Sequence, residues 1–204
     1  AAPTALAAAP ARPATGAGGR PARSTSDPRL HGDPVNDPLP RGSETSLVLT
    51  HLMQPADANY LGNIHGGVIM KEIDNAAGIA AAKHSRMFCV TASIDRLDFH
   101  NPVFVGNLLI VKSSVNMVGN TSMEVGVRVE AEDILAGLVR HIASAYLTFV
   151  AMGPDFTPAK VPPLVRETED DRRRNHEALR RKESRLALKT REKQCQTEPG
   201  ACYD

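Results

Sequence analysis

Residues 122–133, SMEVGVRVEAED, alternate between apolar and polar side chains along almost their whole length. The side chains of a strand point alternately to its two faces, so this pattern predicts a strand with one face on a core and one polar face. Residues 107–119 alternate in a similar way over part of their length, and Gly119-Asn120 predicts a turn between the two segments. The chain is therefore expected to form an antiparallel hairpin here. The apolar positions of the clearer strand are Met123, Val125, Val127, Val129 and Ala131.

Three further segments predict strands of the same sheet: SLVLTHLM (46–53), CVTASIDRLDF (89–99) and LVRHIASAYLTFVAM (138–152). A long helix is predicted from Gly66 to about His84. One strand, one long helix and then four strands with short links indicate an α+β domain with an antiparallel sheet. Only this helix is available to cover the sheet, so the other face and the edge favour pairing with a second copy. The helix residues expected to lie on the sheet are Ile69, Ile73, Ala76, Ala77 and Ala80.

Residues 1–43, which precede this domain, are mainly Ala, Pro, Gly, Ser and Arg without a period, so they predict a disordered or targeting tail. Three arginines (Arg12, Arg20 and Arg23) precede the first acid, Asp27, a bias that resembles a transit peptide. A cytoplasmic protein is the expectation, and a mitochondrial one is the alternative.

The domain is predicted over residues 44–160, and a charged helical tail over residues 161–204. Thr168-x-x-Asp171 is a capping-box pattern that marks the start of a helix. That helix is expected to be solvated. Its alternatives are a basic lip for a phosphorylated ligand or a helix packed on another subunit.

The composition excludes several classes of function. A net charge of +1 in 204 residues predicts no strong attraction to nucleic acid or to a membrane surface. No apolar run approaches the roughly 18 residues of a membrane span. The three cysteines do not combine with histidines at metal-ligand spacing, so no metal is expected.

The start of the predicted helix and its one shoulder acid carry the first functional signal. Asp74 lies at the border between the apolar stripe and the solvated face, where a carboxylate can stay ionised and act as a base. Gly66-Gly67 at the helix start allows a ligand to approach backbone N–H groups, as in an oxyanion hole. The alternatives are an acid that merely pairs with Lys71 and a tight turn that needs glycine.

The pattern Asn59-x-x-Gly62-x-x-His65-Gly66-Gly67, followed by Asp74, resembles the hotdog-fold acyl-CoA thioesterases. The likeness is to the acyl-CoA hydrolase branch, which contains the brain acyl-CoA hydrolase and the bacterial YciA type. It extends to the segments DFHNPVFVGN, VGNTSMEVGVRVEAED and VPPLVRETEDDRRR. The resemblance implies a single hotdog fold, in which a five- or six-stranded antiparallel sheet wraps a long central helix.

The resemblance also implies the reaction, the hydrolysis of acyl-CoA to free fatty acid and CoA. Asp74 matches the catalytic acid of the family, as general base or less favourably as nucleophile, and Asn59 matches its catalytic Asn. Each would come from a different subunit of a homodimer, and three dimers would form a hexamer in some relatives. An amide at Gly66 or Gly67 would polarise the carbonyl. Thiolate is a good leaving group, so no cofactor or metal is expected.

Further residues are expected to contact the substrate. His65 and Asn63 would shape the site or the turn, and the acyl chain would run beside Met70 and Ala81. The expected CoA contacts are Arg96, Asn120, Thr121 and Ser122.

Two other functions are possible on the same fold. A hotdog hydratase would need an Asp and His pair, and LDFHNPVFVG keeps the Asn101-Pro102 of its motif without the following His. A non-catalytic acyl-CoA-binding protein would be expected to lack the acid or the Asn, and both are present here.

Overall fold

The computed structural model describes Pro40 and residues 42–95 and 97–197. Its helices and strands, in chain order, are α1 (Gly42–Thr45), β1 (Leu47–Leu52), α2 (Gly66–Ser85), β2 (Phe88–Ile94), β3 (Asp98–Phe99), β4 (Leu108–Val118), β5 (Ser122–Asp133), β6 (Leu138–Met152) and α3 (Glu169–Thr197). A short 3-10 turn, Pro55–Asp57, follows β1. The predicted tail lies outside the described residues up to residue 39, while α1 begins at Gly42, inside the predicted tail.

The strands form one six-stranded antiparallel sheet in the order β1-β4-β5-β6-β2, with β3 paired to β6. The predicted hairpin is confirmed as β4 and β5, which pair from Leu108 with Glu132 to Val118 with Met123. The segment 89–99 was expected to be one strand and is two. The register of β2 on β6 shifts between Thr91 and Ser93, and β2 ends at Ile94 before β3 begins at Asp98. Such a shift is a β-bulge, which bends the strand and locally increases its twist.

Helix α2 packs on the inner face of this sheet as its apolar stripe predicts. All five predicted core positions of the helix are at most 3% exposed. Alanine at three of them lets the helix backbone approach the strands, and the Ser113 hydroxyl donates to the Ala76 carbonyl at 3.0 Å. The helix ends at Ser85 and is capped by Arg86, which adopts a left-handed conformation with φ 56° and donates its N–H to Ala82 O.

Helix α3 covers part of the outer face, so the expectation of an uncovered face is wrong. The capping box is present: Asp171 N donates to Thr168 Oγ1 and Thr168 N donates to Asp171 Oδ2, both at 3.1 Å. Asn175 and Ala178 of α3 are buried, and Asn175 Nδ2 donates to the backbone of Asn116 in β4 at 3.1 Å. The first half of α3 is therefore packed on its own sheet, and the simple picture of a solvated helix does not hold.

In the part of the chain that the structure describes, no helix combines the length and the apolar character needed to cross a bilayer.

Candidate functional site

The start of α2 is shaped by a histidine cap. His65 precedes the helix in extended conformation, and its Nδ1 accepts a hydrogen bond from Gly67 N at 2.9 Å. Gly67 N–H is therefore occupied within the chain. Among the described residues, Gly66 N–H has no acceptor. Of the two amides predicted for an oxyanion hole, Gly66 N–H is the one that remains available at the positive end of the helix.

The environment of Gly66 explains why glycine is useful there. A Cβ on Gly66 would lie 3.8 Å from the ring of Phe99, the last residue of β3. A side chain at this position would fill the space between the ring and the helix start. Glycine leaves that space open, so a ligand can approach the amide beside an aromatic wall.

Asn59 lies in a tight loop that leads into this helix. Its Oδ1 accepts from Leu61 N at 2.8 Å, and its backbone N–H donates to Asn63 O at 2.7 Å. Gly62 closes the loop with φ 85°, a conformation that favours glycine. The turn uses the amide oxygen of Asn59, which leaves the two donors of its Nδ2 group for another partner. Asn63 contributes its backbone to the loop.

The shoulder position predicted for Asp74 is borne out by its half-buried side chain. Thr91 Oγ1 of β2 donates to Asp74 Oδ1 at 2.7 Å. The hydroxyl satisfies and orients one carboxylate oxygen, and the other oxygen is left to meet a water. Thr91 could not be predicted from the sequence, because β2 has exposed residues on both faces and its alternation does not mark this position.

Strand β2 brings this acid to an edge of the sheet. β2 is the last strand in the sheet order, and no described strand pairs with its outer edge. Three large apolar side chains of β2 are exposed: Phe88 at 78%, Val90 at 48% and Ile94 at 41%. Exposed apolar residues along an unpaired edge are typical of a protein interface.

The other residues predicted to contact the substrate differ in exposure and in position. Met70 is 42% exposed on α2 and available, whereas Ala81 is fully buried against the sheet and cannot line an acyl channel. Arg96 lies outside the described residues. The turn with Asn120, Thr121 and Ser122 is at the far end of β6 from the ring of Phe99.

The backbone of that turn is largely occupied. Asn120 O accepts from Val161 N at 2.9 Å, and Thr121 O accepts from Ala151 N at 3.0 Å. Ser122 pairs with Val150, whereas Phe99 pairs with Ala143. The register thus separates the turn from the helix start by roughly 23 Å along β6 within one chain, at about 3.3 Å per residue. CoA binding by this turn stays a prediction.

The family model described as the thioesterase superfamily matches residues 61–137. The acyl-CoA hydrolase from Bacillus cereus is 36% identical, with a TM-score of 0.71 over 77% of this chain and 96% of that chain. The chain belongs to the acyl-CoA hydrolase family. The family assignment confirms the hotdog fold, and within it α2 is the central helix that the sheet wraps.

Two further members of the acyl-CoA hydrolase family are similar to this chain. The Staphylococcus aureus enzyme, solved with butyryl-CoA, CoA and CoA disulfide, is 32% identical with a TM-score of 0.72, over 80% of this chain and 99% of that chain. It has also been solved with an aspartate, a threonine or an asparagine changed to alanine. The mouse cytosolic acyl coenzyme A thioester hydrolase is 38% identical over 71% of this chain, which spans 39% of the length of that protein.

Proposed function

We propose that the protein hydrolyses acyl-CoA thioesters to a free carboxylic acid and CoA, as a homodimer that forms each site between two chains. The observation that carries the proposal is the Asp74 carboxylate held by Thr91 at 2.7 Å on the shoulder of α2, beside an unpaired apolar edge. A half-buried, oriented carboxylate can accept a proton from water.

One chain holds two incomplete halves of such a site. The first, here called the loop half, consists of Asn59, His65 and the free amide of Gly66. The second, called the acid half, consists of Asp74 and Thr91. Along α2, Gly66 and Asp74 are about 12 Å apart at 1.5 Å of rise per residue. One small carbonyl cannot contact both, so the loop half must meet the acid half of another chain.

The reaction then needs few groups. The partner's Gly66 amide donates to the thioester carbonyl oxygen, and Asp74 takes a proton from a water that attacks the carbonyl carbon. The tetrahedral oxyanion collapses, the carbon–sulfur bond breaks, and CoA leaves as a thiolate that takes up the proton that Asp74 accepted from the water. Asn59 of the partner subunit orients the water or the carbonyl through Nδ2. We propose no metal or cofactor, because the thiolate leaves without one.

The relatives support these roles. In the Staphylococcus aureus enzyme, the asparagine, aspartate and threonine that were changed to alanine are spaced along that chain as Asn59, Asp74 and Thr91 are spaced here. The proposal therefore assigns Thr91 to the site together with the two residues found from the sequence.

We further propose that the chains pair through the β2 edge and that the dimers associate as a hexamer in the cytosol. The β2 edge offers unpaired backbone groups and exposed apolar side chains, and it lies next to the acid half. An acyl-CoA thioesterase that is 36% identical over 72% of this chain is described as hexameric, and the mouse relative is named cytosolic.

The first test is a thiol-release assay on Asp74→Asn with acyl-CoA substrates from acetyl to stearoyl. Loss of the general base is expected to lower kcat by about a hundredfold to ten-thousandfold, with an unchanged melting temperature. Glu72→Gln, on the same helix, is the control and should keep wild-type activity. Near-wild-type turnover by Asp74→Asn would reject the assignment, and the panel shows which acyl length is preferred.

The second test mixes two inactive variants, Asn59→Ala and Asp74→Asn, after dissociation and reassociation. Half of the dimers would be mixed, and each would hold one intact site, so about a quarter of the wild-type activity should return for a two-fold dimer. No recovery despite mixed dimers would contradict a site shared between chains. Tight acyl-CoA binding without any turnover by the wild type would favour the non-catalytic alternative, and consumption of an enoyl-CoA without thiol release would favour the hydratase.

A further inference from the structure

Within one chain, Thr91 lies on a bulged strand at the edge of the sheet. It pairs with Phe149, and the next paired residue of β2 is Ser93 with Thr148, so Ala92 is the extra residue of a bulge. No described strand supports the other edge of β2. Bulges next to a site often change the direction of a side chain. A bulged edge strand therefore needs a further contact to hold that side chain in its new direction. The position of the Thr91 hydroxyl therefore depends on the chain pairing proposed above and, within one chain, on what holds the end of β2.

Asp95, the residue directly after β2, supplies that restraint. Its backbone N–H donates to Tyr146 O at 2.9 Å. Its carboxylate Oδ2 accepts from Arg185 Nη1 of α3 at 2.6 Å, and both side chains are 18% exposed. The end of β2 is thus tied to β6 through the backbone and to α3 through an ion pair.

Arg185 is itself fixed by a buried network. The same Nη1 donates to Glu124 Oε2 at 2.9 Å, and the Glu124 side chain is fully buried. Arg181 Nη2 donates to Glu124 Oε1 at 2.6 Å, and its guanidinium lies 3.6 Å from the centre of the Tyr146 ring. Burial opposes the charge of Arg185, but the bonds to Glu124 and Asp95 outweigh this and raise its pKa. A network of this kind is far more rigid than an exposed ion pair.

We infer that Arg185 is a positioning residue for the acid half: from α3 on the outer face, through Asp95, it holds the bulged strand that aims Thr91 at Asp74. Helix α3 thereby contributes to the activity, although it does not contact the substrate. The inference rests on the proposed function for its kinetic consequence and on the contacts alone for its structural consequence.

The test compares Arg185→Ala with Arg180→Ala, an exposed arginine on the same helix. Arg185→Ala is expected to lower kcat about tenfold with KM within twofold, because a small misplacement of a positioned group lowers the rate of the chemical step. Arg185→Lys should recover part of the loss, and Arg180→Ala should behave as wild type. Asp95→Asn serves as a second variant if Arg185→Ala does not fold, since it leaves the Arg185–Glu124 contact in place.

A double-mutant cycle and hydrogen exchange decide the mechanism. If Arg185 acts through Thr91, Arg185→Ala should cause little further loss in a Thr91→Val background. Backbone amides of residues 88–94 should exchange faster in Arg185→Ala and not in Arg180→Ala. Additive kinetic losses, or unchanged exchange in β2, would overturn the inference. A wild type that hydrolyses no thioester would reject the proposed function and the kinetic role, while faster exchange in β2 would still establish the restraint.

Discussion

Helices α2 and α3 lie on opposite faces of one sheet and are held there by different forces. Ile69, Ile73 and a row of alanines bury α2 almost completely. Only Asn175 and Ala178 of α3 are buried among its described residues, and arginines join that helix to the sheet through Glu124. The comparison shows that a highly charged helix can be an integral part of a domain when the sheet offers it a buried counter-charge.

The largest expected effect concerns the apolar side of this comparison. Ile73→Ala should lower the free energy of unfolding by about 2–5 kcal/mol, because Ile73 is only 1% exposed and its loss leaves a cavity between α2 and the sheet. Urea unfolding measures the change, and the loss should be the same at low and at high salt. Ile73→Val, which removes less volume, should lose about 0.5–1.5 kcal/mol. A loss below that of the valine variant would show that α2 is not held by close packing.

The packing of α3 on the outer face should depend on its ion pairs with Glu124. Glu124→Ala should lower the free energy of unfolding by about 1–3 kcal/mol, because it leaves Arg181 and Arg185 without their buried acceptor. The loss should shrink in 1 M NaCl if screening has already weakened the wild-type contacts.

Glu130 provides a matched control for that variant. It lies on the same strand, where Lys112 and Arg128 contact its carboxylate at 2.6 and 2.7 Å, but both cations are about half exposed. Glu130→Ala should therefore lose less than about 1 kcal/mol. Equal losses for the two variants would mean that burial of Glu124 adds nothing to the docking of α3.

The end of α2 should make the inner face sensitive to acid. Burial lowers the pKa of His84 from 6.5, and a hydrogen bond to Pro162 O partly opposes this. The native state therefore binds this proton less readily than the unfolded chain. The contribution of His84 to stability is complete above pH 6.5 and is lost as the pH falls through the lowered native value.

Melting temperatures measured from pH 7 to pH 5 check this sign. The wild type should fall more steeply than His84→Gln, which can still donate to Pro162 O but does not titrate. Parallel pH profiles would remove His84 as a source of the acid sensitivity.

The smallest expected effects distinguish the two faces by their sign. A Cβ on Gly78 of α2 would meet only the Phe149 ring at 3.6 Å, an ordinary contact, so Gly78→Ala should stabilise the helix by about 0.5–1 kcal/mol. A Cβ on Gly126, under α3, would overlap Asn116 Nδ2. Gly126→Ala should therefore destabilise, because the side chain of Asn116, which is only 4% exposed, would have to move. Changes in melting temperature of the same sign for Gly78→Ala and Gly126→Ala would contradict this prediction.

Local patterns predicted the inner face well. The alternation in residues 122–133 matches β5, and residues 138–152 match β6. The helix begins at Gly66 as expected, because the glycines, the preceding His65 and the apolar stripe all act within one or two turns. Asn59, Gly66 and Asp74 were found from a motif for the same reason, since they are close in sequence.

The missed features are contacts between distant parts of the chain. Thr91 reaches Asp74 only after β2 has paired with β6 and bulged at Ala92. Arg185 and Asp95 are ninety residues apart and meet across the edge of the sheet. A polar docking surface has no hydrophobic period, so α3 was expected to be solvated.

By itself, the sequence determined where β1, β4, β5 and β6 lie, which stripe of α2 is buried and which acid lies on its shoulder, because each follows from the fixed geometry of a helix or a strand. The tertiary structure alone decided that Glu124 is buried, that α3 packs on the outer face and that Thr91 orients Asp74. The physical reason is that such contacts depend on strand register and on the curl of the sheet, which place together side chains that no local period relates.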